Sequence, residues 1–205
     1  IDLNEFSPNI NSRTSISEPG VRSSLVSMVT RLAHWKGVEV FIKSAMYAKR
    51  NTNFIIFGEV VPGKEKYAAK LEMMIEKLGL KERVSIRIDK NKNISQIITT
   101  SDIIVHASLR PEPFGIIIIE AMAAGKPVIA SRIGGPLEII SDGIDGILVE
   151  PGNPKVLAEA ISNLLSDPKS AKDMGVRARE KVVEKFDLEE YAMNFDIIFK
   201  SVLRK

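Results

Sequence analysis

The sequence predicts an α/β fold in which helices cover both faces of a parallel sheet of about six strands. Short apolar runs typical of strands alternate with longer segments of helical periodicity. From residue 154 onward the helical spacing continues without a further strand. Hydrophobic residues make up 44% of the 205 residues, enough for one well-buried core. We therefore predict a Rossmann-like domain with a helical C-terminal tail.

The individual elements follow from runs of β-branched and apolar residues, from amphipathic spacing, and from glycines that end helices. Strands are predicted at 25–30, 54–57, 84–88, 103–106, 128–130 and 147–149. Helices are predicted at 37–49, 64–78, 94–100, from about 114 to 124, and at 136–140, 154–165, 169–184 and 188–203. Ligands of such sheets bind beyond the carboxyl ends of the strands, so the loops there are searched first.

The composition excludes several classes of protein. A net charge of +3 is too small to favour nucleic acid, and no apolar run approaches the roughly 18 residues of a membrane span. The absence of cysteine is consistent with a reducing compartment, so we expect a cytoplasmic protein. The sequence contains no Asp-x-Asp, no HExxH and no cluster of cysteines, and we predict no bound metal.

The stretch Arg110–Gly125, RPEPFGIIIIEAMAAG, carries two glutamates, Glu112 and Glu120, with seven residues between them. Glu112 lies between two prolines, which favours an extended loop. We predict that a helix begins near Phe114 or Gly115, with Glu120 farther along it, and the free N–H groups of its first turn would suit a phosphate. The alternative is that Glu112 is an ordinary loop residue and Glu120 a partly buried helix residue.

Two other loops contain basic residues. Arg31 and Lys36 follow the first predicted strand, where a planar guanidinium and a point charge could hold a diphosphate; the alternative is that they are simply solvated. The segment 58–64, GEVVPGK, matches most of a P-loop. Glu65 then stands where a Ser or Thr should bind Mg²⁺, so a P-loop nucleotide hydrolase is the weaker alternative.

EPFGIIIIEAMAAGKPVIAS, with its two spaced glutamates, resembles the EX7E signature of the retaining nucleotide-sugar glycosyltransferases of the GT-B fold, family 4 or group 1. The resemblance implies a donor of the UDP, GDP or ADP type and no cofactor. It implies that Arg31 and Lys36 hold the diphosphate and that Glu112, Phe114, Gly115 and Ile116 hold the sugar. By the same resemblance Glu120 binds the ribose, and Glu112, Arg31 and Lys36 are the catalytic residues.

Three further positions lie near the predicted pocket. The loop after Ile88, with Lys90, corresponds to the side of the site that holds the base. His106 ends a strand near Glu112, and we interpret it as a packing histidine, with pocket lining as the alternative. Residues 132–138, RIGGPLE, resemble the family's GG-x-x-E turn, whose glycines we take as conformational.

The resemblance also implies a domain organisation. Residues 1–24, rich in Ser, Asn, Pro and Gly, resemble the linker from an N-terminal domain, and 25–186 form the nucleotide-sugar-binding domain. Residues 187–205 form a helix that packs towards the missing domain, which would bind a glycan, lipid or small-molecule acceptor. We therefore expect the fragment to bind a nucleotide but to transfer little sugar, and the full enzyme to be cytoplasmic or peripheral on the inner membrane face. A non-catalytic nucleotide-sugar-binding domain is the other alternative.

Overall fold

A computed structural model describes residues 1–8, 23–88 and 93–203, and it confirms the predicted fold class. Six parallel strands form one sheet in the order β3-β2-β1-β4-β5-β6. The order reverses between β1 and β4, so the loops that follow these two strands diverge and leave a crevice between them. The strands are β1 (Ser24–Leu32), β2 (Thr52–Val60), β3 (Val84–Ile88), β4 (Ile103–His106), β5 (Val128–Ser131) and β6 (Ile147–Val149).

The helices connect and cover these strands in the predicted sequence. A short 3₁₀ turn, His34–Lys36, precedes the first helix. The α-helices are α1 (Val38–Ser44), α2 (Glu65–Lys77), α3 (Ile94–Thr100), α4 (Ile116–Ala123), α5 (Pro136–Ile139), α6 (Pro154–Ser166), α7 (Pro168–Lys185) and α8 (Leu188–Leu203). In the described ranges of the chain, no helix is both long and apolar enough to span a membrane.

The sheet separates two apolar cores. On one face, α1, α2 and α6 pack around Phe41 and Phe54, whose ring centroids lie 5.3 Å apart. On the other face, α3, α4 and α7 surround Ile118 and Met122. All four residues of β4 are buried, as expected for a strand covered on both sides. The sheet is therefore a rigid support for the loops at its carboxyl edge.

Several boundaries differ from the prediction, among them those of β1, α1 and α4. Strand β1 continues to Leu32 because it pairs with β2 residue by residue, so Arg31 lies in the strand and not in the following loop. Helix α1 ends at Ser44, after which Ala45 and Met46 donate to carbonyls three residues back and tighten the chain into turns. Helix α4 begins at Ile116, one or two residues later than predicted.

The first eight residues pack against the domain. Phe6 is buried in the core cluster that contains α4 and α7. The carbonyl of Glu5 accepts a hydrogen bond of 2.7 Å from the Ser95 hydroxyl at the start of α3. The carbonyl of Phe6 accepts one of 3.2 Å from the Arg179 guanidinium on α7. These contacts place the N-terminal segment beside α4, which carries Glu120.

Candidate functional site

The neighbouring positions of β1 and β4 bring the loops after these strands into contact. Gly37 adopts a left-handed backbone conformation, φ 72°, directly after the 3₁₀ turn. A Cβ atom at this position would lie 1.8 Å from the Ala107 carbonyl oxygen, so only glycine fits. The amide of Leu109 donates a hydrogen bond of 2.7 Å to the Trp35 carbonyl. The two loops are thus held together by their backbones.

Two cations of the first loop lie against one indole ring. The Lys36 Nζ atom lies 4.6 Å from the centroid of the Trp35 ring, and the Arg31 guanidinium carbon lies 5.7 Å from it. Both distances are in the range of cation–π attraction. Arg31, from the end of β1, and Lys36, from the 3₁₀ turn, therefore flank Trp35.

Glu112 binds groups from both loops. Lys36 forms an ion pair with its Oε2 atom, and the Ser108 hydroxyl donates to its Oε1 atom. The Nε2 atom of His106 lies 3.2 Å from the same Oε1 atom. The side chains of Lys36 and Glu112 are only 14% and 13% exposed, so this ion pair is largely shielded from water.

The surroundings of Glu112 keep it ionised. Burial alone would raise the pKa of this carboxyl group, but the His106 ring beside it and the hydrogen bonds from Lys36 and Ser108 outweigh burial and lower the pKa to about 2. At neutral pH the side chain is therefore a carboxylate that can only accept hydrogen bonds. Such a carboxylate can accept hydrogen bonds from hydroxyl groups, and here it also forms an ion pair with the ammonium group of Lys36.

His106 combines the two interpretations offered for it, packing and pocket lining. The ring is buried, as predicted, but it reaches Glu112 because β4 ends directly below the 110–115 loop. Ser108, which sequence reasoning missed, reaches the same carboxylate. The sequence did contain a signal for Ser108: it is a polar residue that lies two positions after a buried strand and four positions before Glu112.

The two glycines of the 132–138 segment support the Glu112 loop from below. The Gly135 amide donates a hydrogen bond of 2.8 Å to the Glu112 carbonyl. A Cβ atom on Gly134 would lie 2.8 Å from backbone atoms of Glu112, and one on Gly135 would lie 2.5 Å from the Phe114 carbonyl oxygen. The conformational role predicted for these glycines thus takes the form of close backbone packing.

The N-terminus of α4 follows this loop. Gly115 has φ 102°, a conformation that side chains rarely adopt, and the first N–H groups of the helix have no partner within it. The Phe114 side chain is 39% exposed and Ile116 is 63% exposed. The predicted sugar-binding residues Phe114, Gly115 and Ile116 therefore form an accessible helix N-terminus directly after Glu112.

Glu120 lies in the second turn of α4 and is partly buried. Burial, with a further contribution from the negative charge of Glu5, raises the pKa of its carboxyl group to about 6. This direction is opposite to that of Glu112. Two carboxylates with differently perturbed pKa values on one loop and helix are typical of functional sites.

The raised pKa gives a testable dependence of stability on pH. Glu120 holds its proton more tightly in the folded than in the unfolded protein, so the protonated side chain stabilises the fold. This stabilisation is fully present below about pH 4.5 and is lost as the pH rises through about 6. Above pH 6.5 we expect Glu120→Gln to raise the free energy of unfolding by about 1 kcal/mol, a value reduced for partial solvent screening. Urea unfolding at pH 4 and pH 7.5 measures this. If the free energies of unfolding of variant and parent differed equally at both pH values, this expectation would be contradicted.

Other predicted residues are placed apart or not described. Ile88 ends β3 and is half exposed, and Lys90 lies outside the described residues. The structure does not form a P-loop at residues 58–64. Gly58 and Glu59 belong to strand β2 and not to a loop, and the Gly63 amide donates a hydrogen bond of 3.0 Å to the Glu65 carboxylate. Within the described ranges, no three His, Cys, Asp or Glu side chains gather in a way that could hold a metal ion.

Comparisons with known proteins agree with this arrangement. The N-acetyl-alpha-D-glucosaminyl L-malate synthase of Bacillus anthracis is 35% identical over 131 residues, which are 64% of this chain and 34% of that protein. Anabaena HepE, solved in complex with UDP and glucose, superposes with a TM-score of 0.91 at 28% identity over 98% of this chain and 55% of HepE.

The solved C-terminal domain of LpcC, a group 1 protein from Francisella tularensis, superposes with a TM-score of 0.81 at 26% identity. This similarity covers 92% of our chain and 99% of that domain. Our chain spans between 34% and 50% of the length of three curated relatives. The sequence matches the family described as glycosyl transferases group 1 over residues 15–181. The chain therefore belongs to the group 1 glycosyltransferases and has the architecture of a GT-B C-terminal domain.

Proposed function

We propose that this chain is the donor-binding half of a retaining glycosyltransferase that uses a nucleotide-diphosphate hexose. The observation that carries the proposal is that Arg31 and Lys36 both lie against Trp35, and that Lys36 also pairs with ionised Glu112, where the strand order reverses. Such a crevice is where open α/β sheets bind ligands. Two cations beside a carboxylate and a helix N-terminus suit a ligand that has both phosphates and hydroxyl groups.

The cations act on the diphosphate. Arg31 offers a planar fork of donors, and Lys36 offers a mobile ammonium group. When the bond between sugar and diphosphate breaks, negative charge develops on the leaving oxygen, and fixed positive charges stabilise it. The N–H groups at Phe114, Gly115 and Ile116 add partial positive charge from the start of α4. The protein thereby catalyses departure of the nucleotide without a bound metal.

The carboxylates bind hydroxyl groups. Glu112 accepts hydrogen bonds from the sugar, and Glu120 accepts them from the ribose. By family resemblance, Ile88 and Lys90 are assigned to recognition of the base. Retention of configuration, with attack from the face that the nucleotide leaves, is part of this proposal by family resemblance. HepE, which was solved with UDP and glucose, makes UDP the first nucleotide to test, with GDP and ADP beside it.

The acceptor belongs to the part of the protein that this chain lacks. The relatives are about twice as long as this chain, which is consistent with a second domain that binds a glycan, lipid or small-molecule acceptor. Helix α8 exposes Met193, Ile197 and Phe199, an apolar surface suited to packing against that domain. We therefore propose that the 205-residue chain binds the donor but transfers little or no sugar alone.

The proposal is tested by nucleotide titration. Trp35 is the only tryptophan in the chain and lies against both cations, so its fluorescence should report the arrival of a diphosphate. We would titrate UDP, GDP, ADP and ATP in EDTA, and then repeat ATP with Mg²⁺. A saturable change with one nucleoside diphosphate is expected, weakened roughly tenfold in Arg31→Ala. Arg87→Ala, an exposed arginine of β3, is the matched control.

The outcomes separate the alternatives. In one outcome, the protein responds to none of the nucleotides except ATP with Mg²⁺ added. If Lys64→Ala abolished that response and Arg31→Ala left it unchanged, a P-loop nucleotide hydrolase would replace the proposal. Binding of a nucleotide sugar by a full-length protein that transfers no sugar to any offered acceptor would favour a non-catalytic binding domain. If none of the four nucleotides bound, the proposed donor site would be contradicted.

A further inference from the structure

The Phe114 ring contacts a residue far away in the sequence. Its centroid lies 5.8 Å from that of Phe186, and the two ring planes meet at 69°. This edge-to-face geometry is favourable for aromatic pairs. Phe114 stands in the loop between Glu112 and α4, whereas Phe186 is the residue at the end of α7. The contact therefore joins the candidate site to the α7–α8 connection.

The α7–α8 connection is itself held in place by the N-terminal segment. The nitrogen of Ile1 donates a hydrogen bond of 2.6 Å to the Phe186 carbonyl. The Leu188 amide donates one of 3.3 Å to the Ile1 carbonyl. Phe186 also packs against the core cluster that contains α4 and α7. The backbone around Phe186 is thus held by hydrogen bonds, and its side chain packs on the core cluster.

The Phe114 backbone is closely packed, whereas its ring is partly exposed. Its backbone lies on Gly135, at the close distances given above, but its side chain is 39% exposed. Rotation of this residue would turn the peptide groups between Phe114 and Ile116, which precede and open α4. The ring of Phe186 restricts that rotation from the side.

We propose that Phe186 is a positioning residue for the donor loop. By holding Phe114 it pre-orients the N–H groups of residues 114–116, which lowers the entropy lost when a diphosphate sugar binds to them. This inference rests on the proposed function of the site. Because Phe186 lies between α7 and α8, a shift at the start of α8 reaches the donor loop through the same pair of rings.

A double-mutant cycle tests the inference on the 205-residue chain. Phe114→Leu, Phe186→Leu and the double variant keep apolar side chains and remove one or both rings. From the strength of aromatic pairs, we expect Phe186→Leu to weaken nucleoside diphosphate binding about twofold to tenfold. The double variant should bind no more weakly than Phe114→Leu alone. Phe199→Leu, which removes an exposed ring farther along α8, should leave affinity unchanged.

Hydrogen exchange gives a second measurement that needs no nucleotide. We expect the amides of residues 114–116 to exchange faster in Phe186→Leu than in the parent, and at the parent rate in Phe199→Leu. Phe186→Tyr, which keeps the ring, should restore both the exchange rate and the affinity. These results would not follow from a purely structural role in the core.

The failures of the two proposals are distinguishable. If the parent binds none of UDP, GDP and ADP, the proposed function fails, and exchange at residues 114–116 still decides whether Phe186 holds the loop. If the parent binds one of them and Phe186→Leu matches it in affinity and exchange, the inference about Phe186 is overturned. If the losses of affinity in the two single variants added up in the double variant, the inference about Phe186 would also be overturned.

Discussion

Gly37→Ala is expected to lower the free energy of unfolding by about 4 kcal/mol or more, which places it among the largest single-residue effects. The new Cβ atom would lie 1.8 Å from the Ala107 carbonyl oxygen, so the backbone of one loop must move. A left-handed φ of 72° adds a further cost for any side chain. With typical domain stabilities of about 5–15 kcal/mol, much of the margin would be lost.

Gly63→Ala is the matched control for this change. Gly63 has φ 78°, nearly the same backbone conformation, but a Cβ atom there would meet no atom within 4 Å. We expect it to cost only about 1–2 kcal/mol. Urea unfolding followed by circular dichroism measures both variants, and the difference between them isolates the clash with Ala107. Similar losses in both would show that the two loops are not locked at Gly37.

Replacing either partner of the Lys36–Glu112 ion pair is expected to change nucleoside diphosphate affinity in opposite directions. Lys36→Met removes a charge-assisted hydrogen bond to phosphate and should weaken binding roughly tenfold to hundredfold. Glu112→Gln removes a carboxylate that competes for Lys36 and repels the incoming diphosphate. It should tighten nucleoside diphosphate binding about threefold or more. A Trp35 fluorescence titration in EDTA measures both changes.

The same glutamate should matter differently for the complete donor. Because Glu112 is proposed to hold the sugar hydroxyls, Glu112→Gln should reduce the preference for a nucleotide sugar over the free nucleotide. In a full-length protein it should slow transfer about a hundredfold or more, in line with losses of transition-state contacts elsewhere. Lys36→Met should slow transfer similarly, since the leaving diphosphate loses a stabilising charge.

An exposed ion pair provides the control. Lys81 and Glu76 form a contact of 2.6 Å in which both side chains are 63% exposed. Lys81→Met and Glu76→Gln should leave nucleotide affinity unchanged, because exposed pairs act weakly and are screened by salt. Weaker nucleoside diphosphate binding in Glu112→Gln would contradict the competition between carboxylate and phosphate for Lys36.

Local patterns predicted most of the elements but not the ends of several. The apolar run at 25–30 identified β1, yet pairing with β2 extends the strand to Leu32 and takes in Arg31. The helical spacing at 37–49 identified α1, yet the chain tightens into turns after Ser44. Ends depend on partners elsewhere in the chain, which periodicity within a short window does not contain.

The candidate site shows the same division. Four residues could be selected from the sequence: Arg31 and Lys36 because they follow a recognisable strand, and Glu112 and Glu120 because they belong to a motif that resembles the family's. The contacts of His106 and Ser108 with Glu112 could not be deduced from it, because they depend on how the loop folds back over the end of β4. The contact between Phe114 and Phe186, 72 residues apart in the numbering, was equally invisible.

The sequence by itself determined the α/β class, the order of strands and helices, and the family resemblance that the comparisons confirm. Those properties reside in local spacing and in one contiguous motif, which each residue's neighbours in the chain encode. Only the tertiary structure decided that β4 lies beside β1, and hence that Lys36 meets Glu112 across 76 residues. The reason is that strand pairing and side-chain contact are non-local, and their energies arise only when distant segments pack together.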